Sequence, residues 1–256
     1  CLWTVLLCFG CSWKMPYYGS SESPCRMDER KGEMAVTEIH EVDRHGFVRL
    51  VDTMGDDMAV VRAARVSYGN ESKGEKADEK LIHYLMKHNH GTPFEHIVFT
   101  FHIKCPIFVA RQWFRHRIGS FNEISGRYTE LATEFFVPTA LRENKTANHQ
   151  ASIEGDFTDD EIQSMLSEWN YALEIAESTY ESLLEKGVAR EQARAVLPIG
   201  TYTEFYWTVN LRSLFNFIRL RTADDSQAEM REYADTIQAI AKDYAKWSFE
   251  AFESEP

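Results

Sequence analysis

VFTFHIKCPIFVARQWFRHRIGSFNEISGRY, residues 98–128, holds the pattern from which the fold is read. Between Val98 and Cys105 apolar residues alternate: Phe99, Phe101, Ile103 and Cys105 share one side, while Val98, Thr100, His102 and Lys104 share the other. A period of two with one apolar side is a strand that buries one face. Pro106 closes the strand and opens a helix over 107–117, which Gly119 ends.

Working outward, residues 47–54 and 201–209 read as further strands, and 56–68, 79–88, 189–197 and 210–221 as helices. Thr92, Pro93 and Glu95 supply a capping hydroxyl, a first-turn proline and a reciprocating carboxylate, which predicts a helix start. Thr158 with Glu161 predicts a capping box before a long helix that Gly187 terminates, and Ser226 with Glu229 caps the last long helix. The polar, glycine-containing stretch 67–78 is expected to be a mobile loop. Strands and helices alternate without a regular βαβ rhythm, so the expected class is α+β.

The chain has 256 residues, 44% of them hydrophobic, enough for a sizeable core. Lys and Arg number 28 against 40 Asp and Glu, a net charge of -12. That balance opposes loose attraction to nucleic acid or anionic membrane, and any bound anion must be drawn by a local cluster. Cys1, Cys8, Cys11 and Cys25 crowd the start and leave Cys105 alone, so the main body has no disulfide framework. The opening CLWTVLLCFGC is too short to span a bilayer and lacks a basic flank and a clear cleavage site. Residues 1–33 are expected to be a disordered or artefactual extension, with Met34 a plausible start and 34–256 a single catalytic domain.

The local cluster is residues 115–128, where Arg115, His116, Arg117 and Arg127 stand with Ser120, Asn122, Glu123 and Ser125. Arg111 and Arg115 share a helical face, with Gln112 three positions before Arg115. Arg115, His116 and Arg117 would occupy the final helical turn, where cations complement the helix dipole. The glycine-punctuated segment that follows reads as a loop whose N–H groups, hydroxyls and guanidinium can grip a phosphate.

Arg115, His116, Arg117, Ser120, Asn122, Glu123, Ser125, Arg127 and Tyr128 match every fixed position of R-H-R-x-x-S-x-N-E-x-S-x-R-Y. That signature belongs to the flavin-dependent thymidylate synthases, which the chain resembles over roughly residues 47–252. The run from His90 to His96, ARAVLP at 193–198 and the run from Trp207 to Arg221 extend the likeness.

The resemblance implies that fold, with helices around a largely antiparallel sheet, and a cytoplasmic homotetramer whose active sites are shared between subunits. It implies the methylation of dUMP to dTMP with 5,10-methylenetetrahydrofolate, NADPH and FAD. It places His90, Thr92, Glu95, Arg115, His116, Arg117, Glu123, Asn210, Arg212 and Asn216 at the flavin. Gln112, Arg115, Glu123, Ile124, Ser125, Gly126, Arg127, Arg194 and Arg221 fall at the nucleotide, with residues 123–127 donated by a neighbouring subunit. Arg221 is the candidate for polarising the uracil ring.

Arg221 also continues the helical row of Leu214 and Ile218, where a guanidinium needs an anionic or strongly accepting partner. An internal salt bridge is the plainer alternative. One departure stands out: Asp225 and Ser226 occupy places where the family pattern leads one to expect other residues, a histidine among them. Cys105, on the apolar face of a strand, reads as an unreactive thiol, and Ser125 has no evident base beside it.

Two rivals have less support. His83, His88, His90 and His96 lie close in sequence, but His83 and His88 are five apart and no familiar ligand spacing is completed, so no metal is expected. An RNA-binding module could stack bases on Phe114, Phe121 and Tyr128, but the bulk acidity opposes it.

Overall fold

Phe99, Phe101, Ile103 and Cys105 are fully buried, while Thr100, His102 and Lys104 across the same strand are half-buried, as the alternation requires. The computed structural model describes residues 38–69, 71–144 and 152–255. The expected extension 1–33, Met34 and the four early cysteines lie outside them.

In chain order the elements are β1 (Ile39–Glu41), β2 (Phe47–Met54), α1 (Asp57–Ala64), α2 (Glu75–Lys87), β3 (Val98–Pro106), α3 (Ile107–Trp113) and β4 (Ser120–Glu123). They continue with β5 (Arg142–Asn144), β6 (Ser152–Glu154), α4 (Asp159–Glu185), α5 (Arg190–Ala193), β7 (Tyr202–Asn210), α6 (Leu211–Arg221), α7 (Ala228–Lys242) and α8 (Lys246–Glu253). The main sheet has the order β1-β2-β3-β7-β4, and each neighbouring pair is antiparallel. β5 and β6 form a separate antiparallel pair. The class is α+β, in agreement with the absence of a βαβ rhythm.

β3 and β7 pair from Val98↔Asn210 to Pro106↔Tyr202, and each runs directly into a helix, α3 and α6. Because the strands are antiparallel, the helices depart from opposite ends of the sheet. They then converge over Trp207: Trp113 of α3 lies 5.4 Å from it and Phe217 of α6 lies 4.9 Å from it, centroid to centroid. Trp113, Trp207 and Phe217 are all fully buried. Fully burying a large apolar side chain contributes about 1.5–3 kcal/mol, so this aromatic wedge sets where the ends of the two helices meet.

Several local expectations give way to tertiary contacts. α3 ends at Trp113 with Phe114 as its cap, so Arg115, His116 and Arg117 lie beyond the helix and not in its last turn. The chain turns there because Phe114 packs on Phe121 and Phe205, which pulls Ser120–Glu123 onto the edge of β7 as a strand and not a free loop. Thr92–His96 is a short 3-10 turn with no side-chain cap, since Glu95 is drawn to Arg212. Ser226 does not cap α7: Gln227 holds that position without a side-chain bond to the helix's backbone N–H groups, and Glu229 pairs with Arg142. Stretch 67–78 already contains the start of α2, and its Asp78 is buried against Arg65 at 2.6 Å. Residues 189–197 divide into α5 and a 3-10 turn at Arg194–Val196. The capping box at Thr158 and the left-handed Gly187 after α4 (φ 82°) form as expected.

The turn between β1 and β2 is held by Asp43. Its carboxylate accepts from the backbone N–H of Gly46 (2.6 Å) and His45 (3.0 Å), and from the hydroxyls of Tyr202 (2.7 Å) and Tyr233 (2.9 Å). Burial pushes both tyrosine hydroxyls well above their ordinary range, so both stay donors. A Cβ on Gly46 would fall 1.7 Å from the Tyr233 hydroxyl. Gly46→Ala should therefore displace that tyrosine from Asp43 and cost about 1–3 kcal/mol, read as a lower urea midpoint at unchanged slope. An unchanged midpoint would contradict the packing described.

Candidate functional site

Three groups of the residues picked out in the sequence are brought together, each by a different part of the fold. The first forms where α3 and α6 converge. Arg221, in the last turn of α6, donates from Nε to His116 Nε2 (2.9 Å) and from Nη2 to the backbone carbonyl of Gln112 (2.9 Å). His116 lies edge-on to Phe217, with centroids 5.0 Å apart. Burial, then the adjacent Arg221 charge, lower its pKa to about 4, so the imidazole is neutral at pH 7 and can accept the Arg221 bond. Burial and the nearby Arg115 charge also lower the pKa of Arg221.

Arg221 is half-buried, yet its bonding partners are neutral. Among the described residues, no carboxylate forms an ion pair with Arg115, Arg117, Arg194 or Arg221. The internal salt bridge held open for Arg221 is not made among the described residues.

The second group lies where the 3-10 turn Thr92–His96 meets the start of α6. A cleft of about 470 Å³ is lined there by Ala63, Leu85, Asn89, His90, Thr92, His96 and Arg212, among others. Arg212 Nη1 donates to Glu95 Oε1 at 2.6 Å. A Cβ on Gly91 would come within 2.6 Å of Arg212 Nε, so glycine lets the guanidinium lie against the backbone. Asn210 caps α6, its Oδ1 accepting from Ser213 N (2.9 Å), and Asn216 is exposed on the same helix. Arg212 and Arg221 are nine positions apart, so α6 spaces the first two groups by about 14 Å along its axis.

The third group follows β4. Glu123 Oε1 accepts from Thr203 Oγ1 (2.7 Å), and Ile124 N continues the ladder to Glu204 O (2.9 Å). Gly126 packs against Leu131 and the Arg194 side chain, where a Cβ would stand 3.0–3.1 Å from both. Ser125 Oγ accepts from Arg127 N, and Arg127 pairs with Glu191 at 3.1 Å. No hydrogen bond or ion pair joins this group to the first among the described residues.

Size alone does not mark this site. A larger cavity of about 1040 Å³, walled by Phe108, Phe136, Trp169 and Ile199, contains none of the site residues picked out in the sequence. Gln227 is the residue that sequence reading missed: its Oε1 accepts from Gln112 Nε2 at 2.6 Å. Its place beside the expected cap at Ser226 gives no local sign of that reach. Cys105 is fully buried and burial raises its thiol well above the ordinary range, so it is no nucleophile. No three His, Cys, Asp or Glu side chains converge as a metal site among the described residues.

The family profile described as thymidylate synthase complementing protein matches residues 49–245. The flavin-dependent thymidylate synthase of Thermosipho africanus is 56% identical over 208 residues, 81% of this chain and 90% of that protein. A Thermus thermophilus protein of the same name is 54% identical, across 81% of this chain and 76% of its own length. Among solved structures, the UMP/dUMP methylase PolB of Streptomyces cacaoi, bound with 5-Br dUMP, superposes with a TM-score of 0.75 at 38% identity, covering 82% of this chain and 95% of that one. Fold and sequence together define an enzyme, a flavin-dependent methyltransferase. The chain belongs to the flavin-dependent thymidylate synthase family.

The neutral His116 gives a pH signature. As pH falls from 6.5 toward about 4, the unfolded chain takes up a proton that the native state refuses, so native stability falls across that window. His116→Gln keeps an acceptor for Arg221 but does not titrate. Urea midpoints measured across that window should fall more steeply for the parent than for the variant; parallel profiles would contradict a neutral His116.

Proposed function

We propose that the enzyme methylates dUMP to dTMP, with 5,10-methylenetetrahydrofolate as carbon donor, NADPH as reductant and FAD as the bound flavin. One observation carries this reading: Arg221 stands beside Arg115 at the α3–α6 junction, tied to His116 and Gln112, with no carboxylate partner among the described residues. A half-buried guanidinium beside a second cation is costly, and an anionic ligand offsets that cost. The likeness to PolB, solved with 5-Br dUMP, supports a pyrimidine nucleotide as one of them.

The residues present fit a flavin. The cleft beside His90, Thr92 and Arg212 is close to the usual size of a ligand site, and Gly91 leaves its wall open to the Arg212 guanidinium. His90, Thr92, Glu95, Asn210, Arg212 and Asn216 would hold the ring system and ribityl chain, with Arg115, His116 and Arg117 toward the phosphates and Glu123, supplied by a neighbouring subunit, accepting from a flavin hydroxyl or N–H group. When bound, the flavin supplies the electrons that turn the transferred carbon into a methyl group.

The protein's own part is orientation and charge. His116 takes the Nε–H of Arg221 and the Gln112 carbonyl takes one Nη–H, so the remaining N–H groups are held in a fixed direction toward a uracil oxygen. Gln112 and Arg115 would contact the nucleotide from this side. Glu123, Ile124, Ser125, Gly126, Arg127 and Arg194 form a separate nucleotide surface, which we assign to a neighbouring subunit of a homotetramer. Among the described residues they make no bond to the Arg221 group within one chain, which supports that division.

We place the catalytic unit at 34–256 and the enzyme in the cytoplasm, where the single thiol of the described chain, Cys105, would stay reduced. No helix among the described residues is long and apolar enough to cross a membrane. We assign neither nucleic acid nor membrane as a partner.

Arg221→Ala should lower thymidylate formation by about 100-fold or more while the visible flavin spectrum of the purified protein is unchanged. In the parent, anaerobic NADPH should bleach that spectrum at a rate that changes with dUMP present. A variant that turns over at the parent's rate would remove Arg221 from the reaction. A parent that binds no flavin would remove the whole reading.

A further inference from the structure

Gln112 is the end of a chain of side chains reaching away from the site. Its Nε2 donates to Gln227 Oε1 (2.6 Å), Gln227 Nε2 donates to Glu229 Oε2 (2.9 Å), and Glu229 Oε1 accepts from Arg142 Nη2. Arg142 is exposed in β5, and Glu229 is buried in the first turn of α7. The four residues come from α3, the cap of α7, α7 itself and β5.

The direction of this chain has one physical origin. An amide side chain has nearly the same shape whichever way its oxygen and nitrogen point, so its partners decide. A carboxylate paired with a guanidinium has only acceptors to offer, so Glu229 requires the NH₂ group of Gln227. Gln227 must then turn its oxygen to Gln112, and Gln112 must answer with its own NH₂. The amide oxygen of Gln112 is thereby left as the outward end, and it has no partner among the described residues. The backbone carbonyl of the same residue holds Arg221.

We propose that Gln227 and Glu229 are positioning residues that lock Gln112 with its amide oxygen outward, so that the site accepts the N3–H of a uracil and rejects the bare N3 of a cytosine. This rests on the reading that Gln112 contacts the nucleotide. An acceptor fixed from behind opposes another acceptor, whereas a freely rotating amide would accommodate either base by turning over.

Glu229→Gln removes the acceptor-only group at the root of the chain, and Gln227→Leu cuts the chain while leaving the Arg142–Glu229 pair. Retained flavin absorbance reports that each variant is folded, and Gln227→Leu decides alone if Glu229→Gln does not fold. Calorimetric titration with dUMP and with dCMP should show the parent preferring dUMP. In the folded variants that preference should narrow by roughly tenfold. If the parent prefers dUMP and both variants keep its full preference, the positioning role is overturned. If the parent binds no dUMP, the nucleotide reading itself fails and the positioning role falls with it.

Discussion

A guanidinium, that of Arg221, held beside Arg115 with no carboxylate partner among the described residues is the constraint around which the functional part of this molecule is built. The chain carries 40 acidic residues against 28 basic ones, so carboxylate partners are plentiful. They are used elsewhere: Arg65 with Asp78, Arg142 with Glu229, Lys104 with Glu134 and Arg212 with Glu95. Arg221 instead binds a neutral imidazole and a backbone carbonyl, which orient it without neutralising it. Full charge at a fixed angle is what the binding of a phosphate or the polarisation of a carbonyl needs.

The sheet makes that arrangement possible. Two adjacent antiparallel strands each pass into a helix with no intervening loop, so α3 and α6 start at opposite ends and are driven together by the Trp113, Trp207 and Phe217 wedge. The polar junction at Gln112, His116 and Arg221 sits at the edge of the most densely aromatic part of the core. Rigid apolar packing behind and uncompensated charge in front are two consequences of one topology. The same packing excludes Cys105 from chemistry, since it lies on the buried face of β3 beneath the helices.

Much of this was legible in the sequence where the signal is local. The alternation along β3 survives because one face is fully buried, and the Thr158–Glu161 box forms because no distant partner competes for Glu161. The same chemistry misleads at Thr92 and Ser226: Glu95 is claimed by Arg212 and Glu229 by Arg142, partners far away in the chain. β4 could not be read because Phe121 is its one inward apolar residue, too few to show a period. The site residues were named through the resemblance to a family. Their division into separate groups, and the contact of Arg221 with Gln112 across 109 positions, needed the fold.

The central claim is that these cations are held for phosphate-bearing ligands, and thermal unfolding tests it most directly. The parent would be melted alone, with dUMP, and with deoxyuridine at the same concentration, each at low and at high salt. If phosphate supplies the missing counter-charge, dUMP raises the melting temperature, deoxyuridine does not, and salt erodes the difference. Equal shifts from the two ligands, or a dUMP shift untouched by salt, would show that the arginines are not waiting for a phosphate.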